Sequence, residues 1–240
     1  MSDQFSRVEE AIEAIAAGQI VIVLDSEDRE NEGDFVMAAE KVTPQAIHFM
    51  ISHGRGQLCV PVMPDVAQRL RLTPMVLGDG DDSMPRFTVP VDHRNCKTGI
   101  SPLERAVSIQ AMLDETSRAE DFLRPGHIFP LVAVEGGVLE RPGHTEAATE
   151  LARMAGLSPA GVLCEICSRD GMHMADLPEL LQIAAEFGRP LITMYDLILY
   201  RRRCNVAAQS ATAWASDKLG RRTSGDAEVH DALLATGRHV

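Results

Sequence analysis

Apolar and polar positions follow two different periods along most of the chain. Short apolar runs predict buried strands at QIVIVLD, DFVMAAE, QLCVPVM, FTVPVD, IFPLVAV, GVLCEIC and PLITMYD. Between these runs, apolar residues at helical spacing predict helices from Val8 towards Gly18, from Pro44 towards Gly54, from Pro102 towards Leu113, over residues 145–155 and over residues 177–187. This alternation is typical of helices layered on a sheet, and short hairpin-like stretches indicate that the sheet is not purely parallel.

Local signals mark the start of two of these helices. Ser6-Arg7-Val8-Glu9 and Ser101-Pro102-Leu103-Glu104 have the pattern of a capping box, in which a serine and a glutamate side chain bind backbone N–H groups of the first turn. A proline suits the first helical position of the second box, and Gly18 suits the residue after a helix end.

The periodic pattern weakens towards the C-terminus. Up to Arg203 the chain is long enough to bury one substantial core, and 45% of all residues are hydrophobic. Residues 204–240 are rich in Ala, Ser and Gly. We therefore predict one domain over residues 1–203, followed by a tail of unknown role that is partly disordered or weakly helical.

Charge narrows the class of partner. The chain has 23 Lys and Arg against 35 Asp and Glu, a formal net charge of −12, which argues against nucleic acid or an anionic membrane as a partner. The start MSDQFSRVEE lacks the features of a signal peptide, and no apolar run approaches the roughly 18 residues of a membrane span. The five scattered cysteines suit a reducing compartment, so a cytoplasmic protein is expected.

The loop DSEDRENEGD, residues 25–34, carries six carboxylates in ten positions. A solvated turn is the ordinary interpretation of such a charge run. However, Glu30, Glu32 and Asp34 alternate, so an extended backbone would present all three on one face. Like charges this close raise one another's pKa unless cations lie among them, and Arg29 supplies only one positive group. The pattern favours a divalent metal ion or a polar substrate at this loop.

The tetrapeptide R-P-G-H occurs twice, at residues 124–127 and 141–144. The second copy opens a predicted helix, so free N–H groups, the Thr145 hydroxyl and Arg141 could together bind an anion such as a phosphate, with His144 at its rim. In the first copy, His127 precedes an apolar strand, which suits an acid or base better than an anion cradle. The alternative for each histidine is a turn residue with satisfied hydrogen bonds.

Glu165 is the charged residue inside the apolar run GVLCEIC. An ionised carboxylate in such a strand is costly unless it has a partner, and a raised pKa would allow it to exchange protons near neutrality. The alternative is that strand alternation points this side chain to solvent.

Several linked stretches resemble one known family. DSEDRENEGD, ISHGRGQLCVP, TGISPLERA, RPGHIFPLVA, RPGHTEAATELARMAGL and VLCEI occur in this order between Val8 and Arg203, and they closely resemble 3,4-dihydroxy-2-butanone 4-phosphate synthase of riboflavin biosynthesis. The resemblance implies an α+β fold with three layers around a mixed sheet, and a homodimer. It also implies a lyase that converts D-ribulose 5-phosphate into L-3,4-dihydroxy-2-butanone 4-phosphate and formate with Mg²⁺ or Mn²⁺.

The same resemblance implies roles for individual residues. Glu30 and His144 would be the metal ligands, while His127 and Glu165 would be essential to catalysis. Cys59 and Thr98 would line the site. The residues expected to contact the substrate are Arg29, Glu30, Asp34, Arg141, Pro142, Gly143, His144 and Thr145.

Two alternatives to an active synthase remain. A nucleotide-binding module on a related three-layer fold, such as the YrdC-like RNA and ATP binders, would need a basic binding surface, whereas this chain has a net charge of −12. A catalytically inactive homologue would lack some of the assigned residues, whereas every assigned position carries the residue that the resemblance requires. Formate release from ribulose 5-phosphate would distinguish the synthase from both.

Overall fold

A computed structural model of the chain describes residues 4–76 and 84–206. The chain divides into one compact unit over Met1–Ile198 and a second over Leu199–Val240. The helices of the first unit include α1 (Val8–Ala16), α2 (Pro44–His53), α3 (Pro64–Arg69), α4 (Pro102–Leu113), α5 (His144–Met154) and α6 (Leu177–Phe187). Its strands are β1 (Val21–Leu24), β2 (Gly33–Ala38), β3 (Cys59–Val62), β4 (Val91–His93), β5 (Phe122–Val132), β6 (Gly161–Glu165) and β7 (Leu191–Thr193).

The strands form one mixed sheet in the order β4-β5-β3-β6-β2-β1-β7. Strand β1 pairs parallel with β7, and β3 pairs parallel with β5. The pairs β1–β2, β2–β6, β3–β6 and β4–β5 are antiparallel. Together with the helices on its faces, this sheet confirms the predicted α+β fold.

Side chains of the sheet alternate between two apolar faces. On one face, Ile22 and Phe35 join a core cluster that includes residues of α2, α4 and α6. On the other face lies α5, which is buried through most of its length and packs on β2 and β6. Gly161 of β6 faces α5 so closely that a Cβ there would lie 2.6 Å from the Cβ of Ala148. Glu165, four positions along the same strand, therefore shares the face of α5.

The first predicted capping box is wrong. Arg7 is the N-terminal cap of α1, and its backbone N and Nε donate to the Glu10 carboxylate at 3.3 and 3.0 Å. Ser6 instead pairs with the edge strand β7, because its N donates to the Leu191 carbonyl and its Oγ accepts from the Leu191 N–H. The cap at Ser101 is confirmed, since its Oγ accepts from the Glu104 N–H at 3.2 Å.

Three predicted strands, those of β4, β5 and β7, differ from the structure in ways that change the surroundings of the site or the end of the sheet. Strand β5 begins at Phe122, before the predicted run IFPLVAV, and therefore contains the first R-P-G-H. Strand β4 covers only the last part of FTVPVD, because Phe87 and Thr88 make isolated bridges. Strand β7 ends at Thr193, and residues 194–198 are helical.

The predicted domain boundary after Arg203 stays a prediction. Residues 199–206, the described part of the second unit, are helical. Residues 207–240, most of the predicted tail, lie outside the described residues. Within the described ranges, no helix combines the length and apolar character needed to cross a membrane.

Candidate functional site

Sheet register brings two predicted site carboxylates together. Asp34 of β2 lies opposite Glu165 of β6 on one side and opposite Val23 of β1 on the other. Residues opposed in this way have Cβ atoms roughly 5 Å apart. The Glu165 Oε2 also accepts from the Gln57 N–H at 2.7 Å. Asp34 and Glu165 therefore belong to a row of side chains that crosses neighbouring strands, and Glu165 points along this row rather than away into solvent.

A glycine-flanked turn encloses Glu165. Gly56 donates its N–H to the Glu165 carbonyl at 3.2 Å. A Cβ on Gly56 would lie 2.5 Å from the Glu165 Oε2, so any larger residue would displace the carboxylate. The segment HGRG, residues 53–56, thus packs its backbone against Glu165 and fixes the position of its carboxylate.

His127 lies in the same row, at the β5 end. Because Cys59 pairs with Phe129 of β5 and with Leu163 of β6, His127 and Glu165 are level on either side of Gln57. Three strand spacings, about 14 Å, separate His127 from Asp34. The row therefore has two ends, which carry different chemistry.

Asp92 of β4 orients His127. The His127 Nδ1 lies 2.7 Å from the Asp92 Oδ2, and the His127 backbone N–H donates to the Asp92 Oδ1 at 2.9 Å. Since an ionised carboxylate only accepts, Nδ1 is the donor and Nε2 is left for other contacts. The His127 side chain is 44% exposed. Asp92 was not singled out in the sequence, although an aspartate at the end of an apolar strand is a usable signal.

His144, at the other end, lies buried at the start of α5. Its Nε2 is 3.1 Å from the Val23 carbonyl, which can only accept, so Nε2 carries the proton. The unprotonated Nδ1 then faces the Glu30 Oε2 and the Asp34 Oδ1, each at 3.9 Å. Burial lowers the pKa of His144 and favours the neutral ring. A neutral imidazole whose second nitrogen is held by a carbonyl is the form that binds metal ions.

Asp34 lies beside the His144 Nδ1. Its Oδ1 is buried and has no hydrogen-bond partner among the described residues. Burial, followed by the charges of Glu165 and of the acidic loop, raises the pKa of Asp34 well above its usual range. A carboxylate in this position is costly unless a cation or donor reaches it. The residues at this end therefore fit a bound divalent cation.

Asp25 joins Glu30 and His144 in a cluster whose potential ligand atoms all lie within 4.8 Å of one another. Its buried carboxylate already accepts from the Arg29 Nη1 at 2.7 Å and from the Glu32 N–H at 2.9 Å. Arg29 Nη1 also donates to the Glu30 Oε2 at 2.6 Å. Asp25 therefore organises the loop that carries Glu30. The charge pattern of the loop does not distinguish Asp25 from its neighbours, although aspartates that bind backbone N–H groups of a following turn are common after strands.

The predicted phosphate loop forms the N-terminus of α5. The first helical hydrogen bond runs from the Ala147 N–H to the Gly143 carbonyl, so the N–H groups of Thr145 and Glu146 have no acceptor within the helix. Arg141 is buried beside them, and its Nη1 donates to the Glu146 Oε2 at 2.6 Å. The sequence did not indicate this buried ion pair.

The two residues expected to line the site, Cys59 and Thr98, have different surroundings. Cys59 is buried, and burial together with the charges of Glu165 and Asp34 raises the pKa of its thiol, so it is an unreactive part of the wall. Thr98 lies in an exposed loop whose next residue, Gly99, touches Asp92. Thr98 is thus near the His127 end.

Fold and site together define an α+β protein with a candidate cation site beside a helix N-terminus. Residues 9–200 match the model of the family described as 3,4-dihydroxy-2-butanone 4-phosphate synthase. The chain belongs to this family, which confirms the resemblance stated from the sequence.

Curated proteins and solved structures agree with this assignment. The chain is 54% identical to a riboflavin biosynthesis protein RibBA of Bacillus mycoides (strain KBAB4) over 198 residues, which is 82% of this chain and 50% of the relative. RibBX of A. baumannii, a two-domain 3,4-dihydroxy-2-butanone 4-phosphate synthase, has 46% identity and a TM-score of 0.78, over 82% of this chain and 58% of that one.

A further crystal structure is that of a 3,4-dihydroxy-2-butanone 4-phosphate synthase in complex with two magnesium ions. It is 36% identical with a TM-score of 0.78, over 83% of this chain and 98% of that one. These TM-scores, at 36% and 46% identity, agree with the α+β fold. The chain spans about half the length of the curated relatives that it matches.

Proposed function

We propose that this chain is a lyase of riboflavin biosynthesis, which converts D-ribulose 5-phosphate into L-3,4-dihydroxy-2-butanone 4-phosphate and formate. Family membership supports the reaction. The observation that carries the proposal is the buried Asp34 Oδ1, without a partner among the described residues, 3.9 Å from the unprotonated nitrogen of His144. Burying two acceptors side by side is costly unless a cation, or a polar group bound to that cation, contacts them.

Glu30 and His144 would hold the divalent cation. One carboxylate and one imidazole leave most coordination positions for substrate and water oxygens, which suits Mg²⁺ or Mn²⁺. A related synthase structure holds two magnesium ions, which supports the binding of a divalent cation by this family. When bound, such a cation acts as a Lewis acid that polarises a carbonyl and stabilises negative charge on substrate oxygens.

The α5 N-terminus would hold the phosphate. Its N–H groups, the Thr145 hydroxyl and the positive end of the helix dipole favour an anion. Residues 141–145 therefore contact the phosphate end of the substrate, while Arg29, Glu30 and Asp34 contact its sugar hydroxyls. Arg141 adds a positive charge at this helix start, held in place by Glu146.

His127 and Glu165 would carry the proton transfers of enolisation, dehydration, skeletal rearrangement and loss of C4 as formate. The Asp92 carboxylate holds the His127 Nδ1–H, so the exposed Nε2 is the atom that takes and returns a proton. The Gln57 N–H holds the Glu165 Oε2, which leaves Oε1 to face the substrate.

A homodimer fits this division of the site. About 14 Å separates His127 from Asp34 within one chain, beyond hydrogen-bond reach of a single reacting group. Helix α4 packs beside β4 and β5, which carry Asp92 and His127. Four exposed apolar side chains lie on this helix or on segments next to it, at Ile100, Leu103, Val107 and Leu123. We propose that they pack against the same residues of a second copy.

The proposed activity is tested by incubating the chain with ribulose 5-phosphate and Mg²⁺ and measuring formate. We expect formate and the four-carbon phosphate in equal amounts, abolished by a chelator and restored by Mg²⁺ or Mn²⁺. Full turnover in excess chelator, or no formate at all, would contradict the proposal.

Mixing two inactive variants tests the homodimer. If His127 of one copy acts at the cation site of the other, a mixture of His127→Ala and His144→Ala should recover about a quarter of wild-type activity, because half of randomly paired dimers contain one intact site. Leu103→Glu should abolish this recovery and yield monomers in analytical ultracentrifugation. A mixture as inactive as its components would contradict a shared site.

A further inference from the structure

We propose that Glu104 is a positioning residue, which holds the loop over residues 97–99 against Asp92 and thereby keeps the His127 imidazole oriented. The inference rests on the proposed function, since it concerns the histidine assigned to proton transfer. Glu104 lies in the first turn of α4 and is proposed to act through Asp92, without touching substrate or cation.

The Glu104 carboxylate gathers the whole loop. Its oxygens accept from the N–H groups of Lys97, Thr98 and Gly99 at 2.5, 3.4 and 3.1 Å. They also accept from the hydroxyls of Thr98 and Ser101 at 2.9 and 3.2 Å. The Lys97 N–H, followed by the other donors, lowers the pKa of Glu104 to about 2. Glu104 is therefore ionised at any pH where an assay is practical, and this anchoring does not vary with pH.

The loop over residues 97–99 packs directly against Asp92, the hydrogen-bond partner of His127. Gly99 has a φ of +77°, which favours glycine. A Cβ added to Gly99 would lie 1.9 Å from the Asp92 Oδ2. The same oxygen contacts the His127 Nδ1 at 2.7 Å. The loop thus forms a wall that leaves the Asp92 carboxylate facing His127.

An ordinary capping role does not account for these contacts. In a capping box, the glutamate side chain returns to the N–H group of the capping residue. Here the Ser101 Oγ accepts from the Glu104 N–H as usual, but the Glu104 carboxylate binds the three N–H groups of the preceding loop. Its principal role is therefore to tie α4 to that loop.

Kinetics of Glu104 variants test the proposal. Glu104→Ala should lower kcat about ten- to a hundredfold, the cost of a misplaced catalytic group, with KM for ribulose 5-phosphate and Mn²⁺ affinity unchanged. Glu104→Gln keeps one acceptor oxygen and should lose less, and it remains informative if the alanine variant folds poorly. Wild-type kcat in both folded variants would overturn the inference.

Asp114, at the far end of α4, supplies a matched control. Its carboxylate accepts from the Thr116 N–H and hydroxyl at 2.8 and 2.7 Å, so it is also an exposed local anchor. Asp114→Ala should leave kcat at the wild-type value. A loss equal to that of Glu104→Ala would mean that any damage to α4 lowers activity, and would overturn the specific role.

Nuclear magnetic resonance gives a readout that does not depend on turnover. In Glu104→Ala, the amides of residues 97–99 should exchange faster, and the His127 Nδ1–H resonance should broaden or shift, whereas neither should change in Asp114→Ala. A freed loop with an unchanged His127 resonance would contradict the proposal. If the wild-type chain released no formate, the proposed function would fail, but this comparison would still decide whether Glu104 orients His127.

Discussion

The two R-P-G-H segments have identical residues and opposite surroundings. Residues 124–127 lie inside the extended strand β5, whereas residues 141–144 end at the first residue of α5. His127 is 44% exposed and bound to a carboxylate, and His144 is 6% exposed and bound to a carbonyl. The environment, rather than the tetrapeptide, therefore decides what each histidine can do.

The two partners have different chemical consequences. A carboxylate beside Nδ1 holds the ring with Nε2 outward, which suits a group that takes and returns protons. A carbonyl beside Nε2, together with burial, keeps the His144 ring neutral and leaves Nδ1 as a metal ligand.

The arginines of the two segments differ in the same way. Arg124 donates to three backbone carbonyls, those of Ala119, Phe122 and Leu70. Arg141 instead pairs with the buried carboxylate of Glu146. Arg124 therefore ties backbone segments together, while Arg141 places a charge at the α5 N-terminus.

Removing the first histidine should have the largest effect on turnover. His127→Ala should lower kcat by about 10² to 10⁴, the range for a lost general acid or base. Cation affinity should not change, because the acidic loop and α5 are untouched. The measurements are formate release over a range of Mn²⁺ concentrations and direct Mn²⁺ titration. Recovery of activity at high Mn²⁺ would contradict the distinction between the two histidines.

Removing the second arginine should cost the most stability. Arg141→Ala removes the cation that faces the buried Glu146 carboxylate, which should reduce the free energy of unfolding by about 3–5 kcal/mol. Arg124→Ala leaves only carbonyls without their donor and should cost about 1–3 kcal/mol. Urea denaturation of both variants, without substrate, measures the difference. Equal losses would show that the Arg141–Glu146 ion pair contributes no more stability than the Arg124 hydrogen bonds to backbone carbonyls.

Removing the second histidine should act through the metal. His144→Ala should weaken Mn²⁺ binding by at least about a hundredfold, the upper end of losses seen when a partner of a metal ligand is removed. Raising Mn²⁺ should restore part of its activity. Folded protein with wild-type Mn²⁺ affinity would exclude His144 as a ligand.

Removing the buried Asp34 charge beside His144 should have the smallest effect, which is a change in stability. Because the folded pKa of Asp34 is raised, its destabilising contribution is absent below the unfolded value, about 3.9, and grows as pH rises above it. In chelator-treated protein, Asp34→Asn should therefore be more stable than wild type at neutral pH by about 1–3 kcal/mol, and the gain should shrink towards pH 4.

Urea denaturation at several pH values measures the effect of Asp34→Asn. Added Mg²⁺ should stabilise the wild type more than the variant, since binding to the folded state raises stability. A variant that is less stable than wild type at every pH would contradict the buried-charge explanation.

Local signals explain why much of the fold was predictable. The predicted helix over residues 177–187 agrees with α6 at both ends, where Asp176 caps the N-terminus and Gly188 adopts the left-handed conformation. The predicted helices beginning at Pro44 and Pro102 are likewise confirmed, with Thr43 and Ser101 as caps. Caps and helical periodicity depend on residues a few positions apart, so they can be read without the fold.

Long-range partners explain what was missed. Asp92 lies 35 positions from the histidine that it orients, and Val23 lies 121 positions from His144. Strand register determines both contacts, and a shift of one residue would turn every side chain of the strand to the other face. Only the tertiary structure could therefore identify Asp92 as a partner or bring Asp34 beside Glu165.

The sequence by itself determined the family, most helices and strands, and the existence of an acidic loop and two R-P-G-H segments. It could do so because motifs, caps and apolar periods are local properties of the chain. The tertiary structure decided that one histidine meets a carboxylate and the other a carbonyl, and that about 14 Å of sheet lies between the two ends of the row. Those outcomes depend on which strands become neighbours and in which register, and no local pattern specifies them.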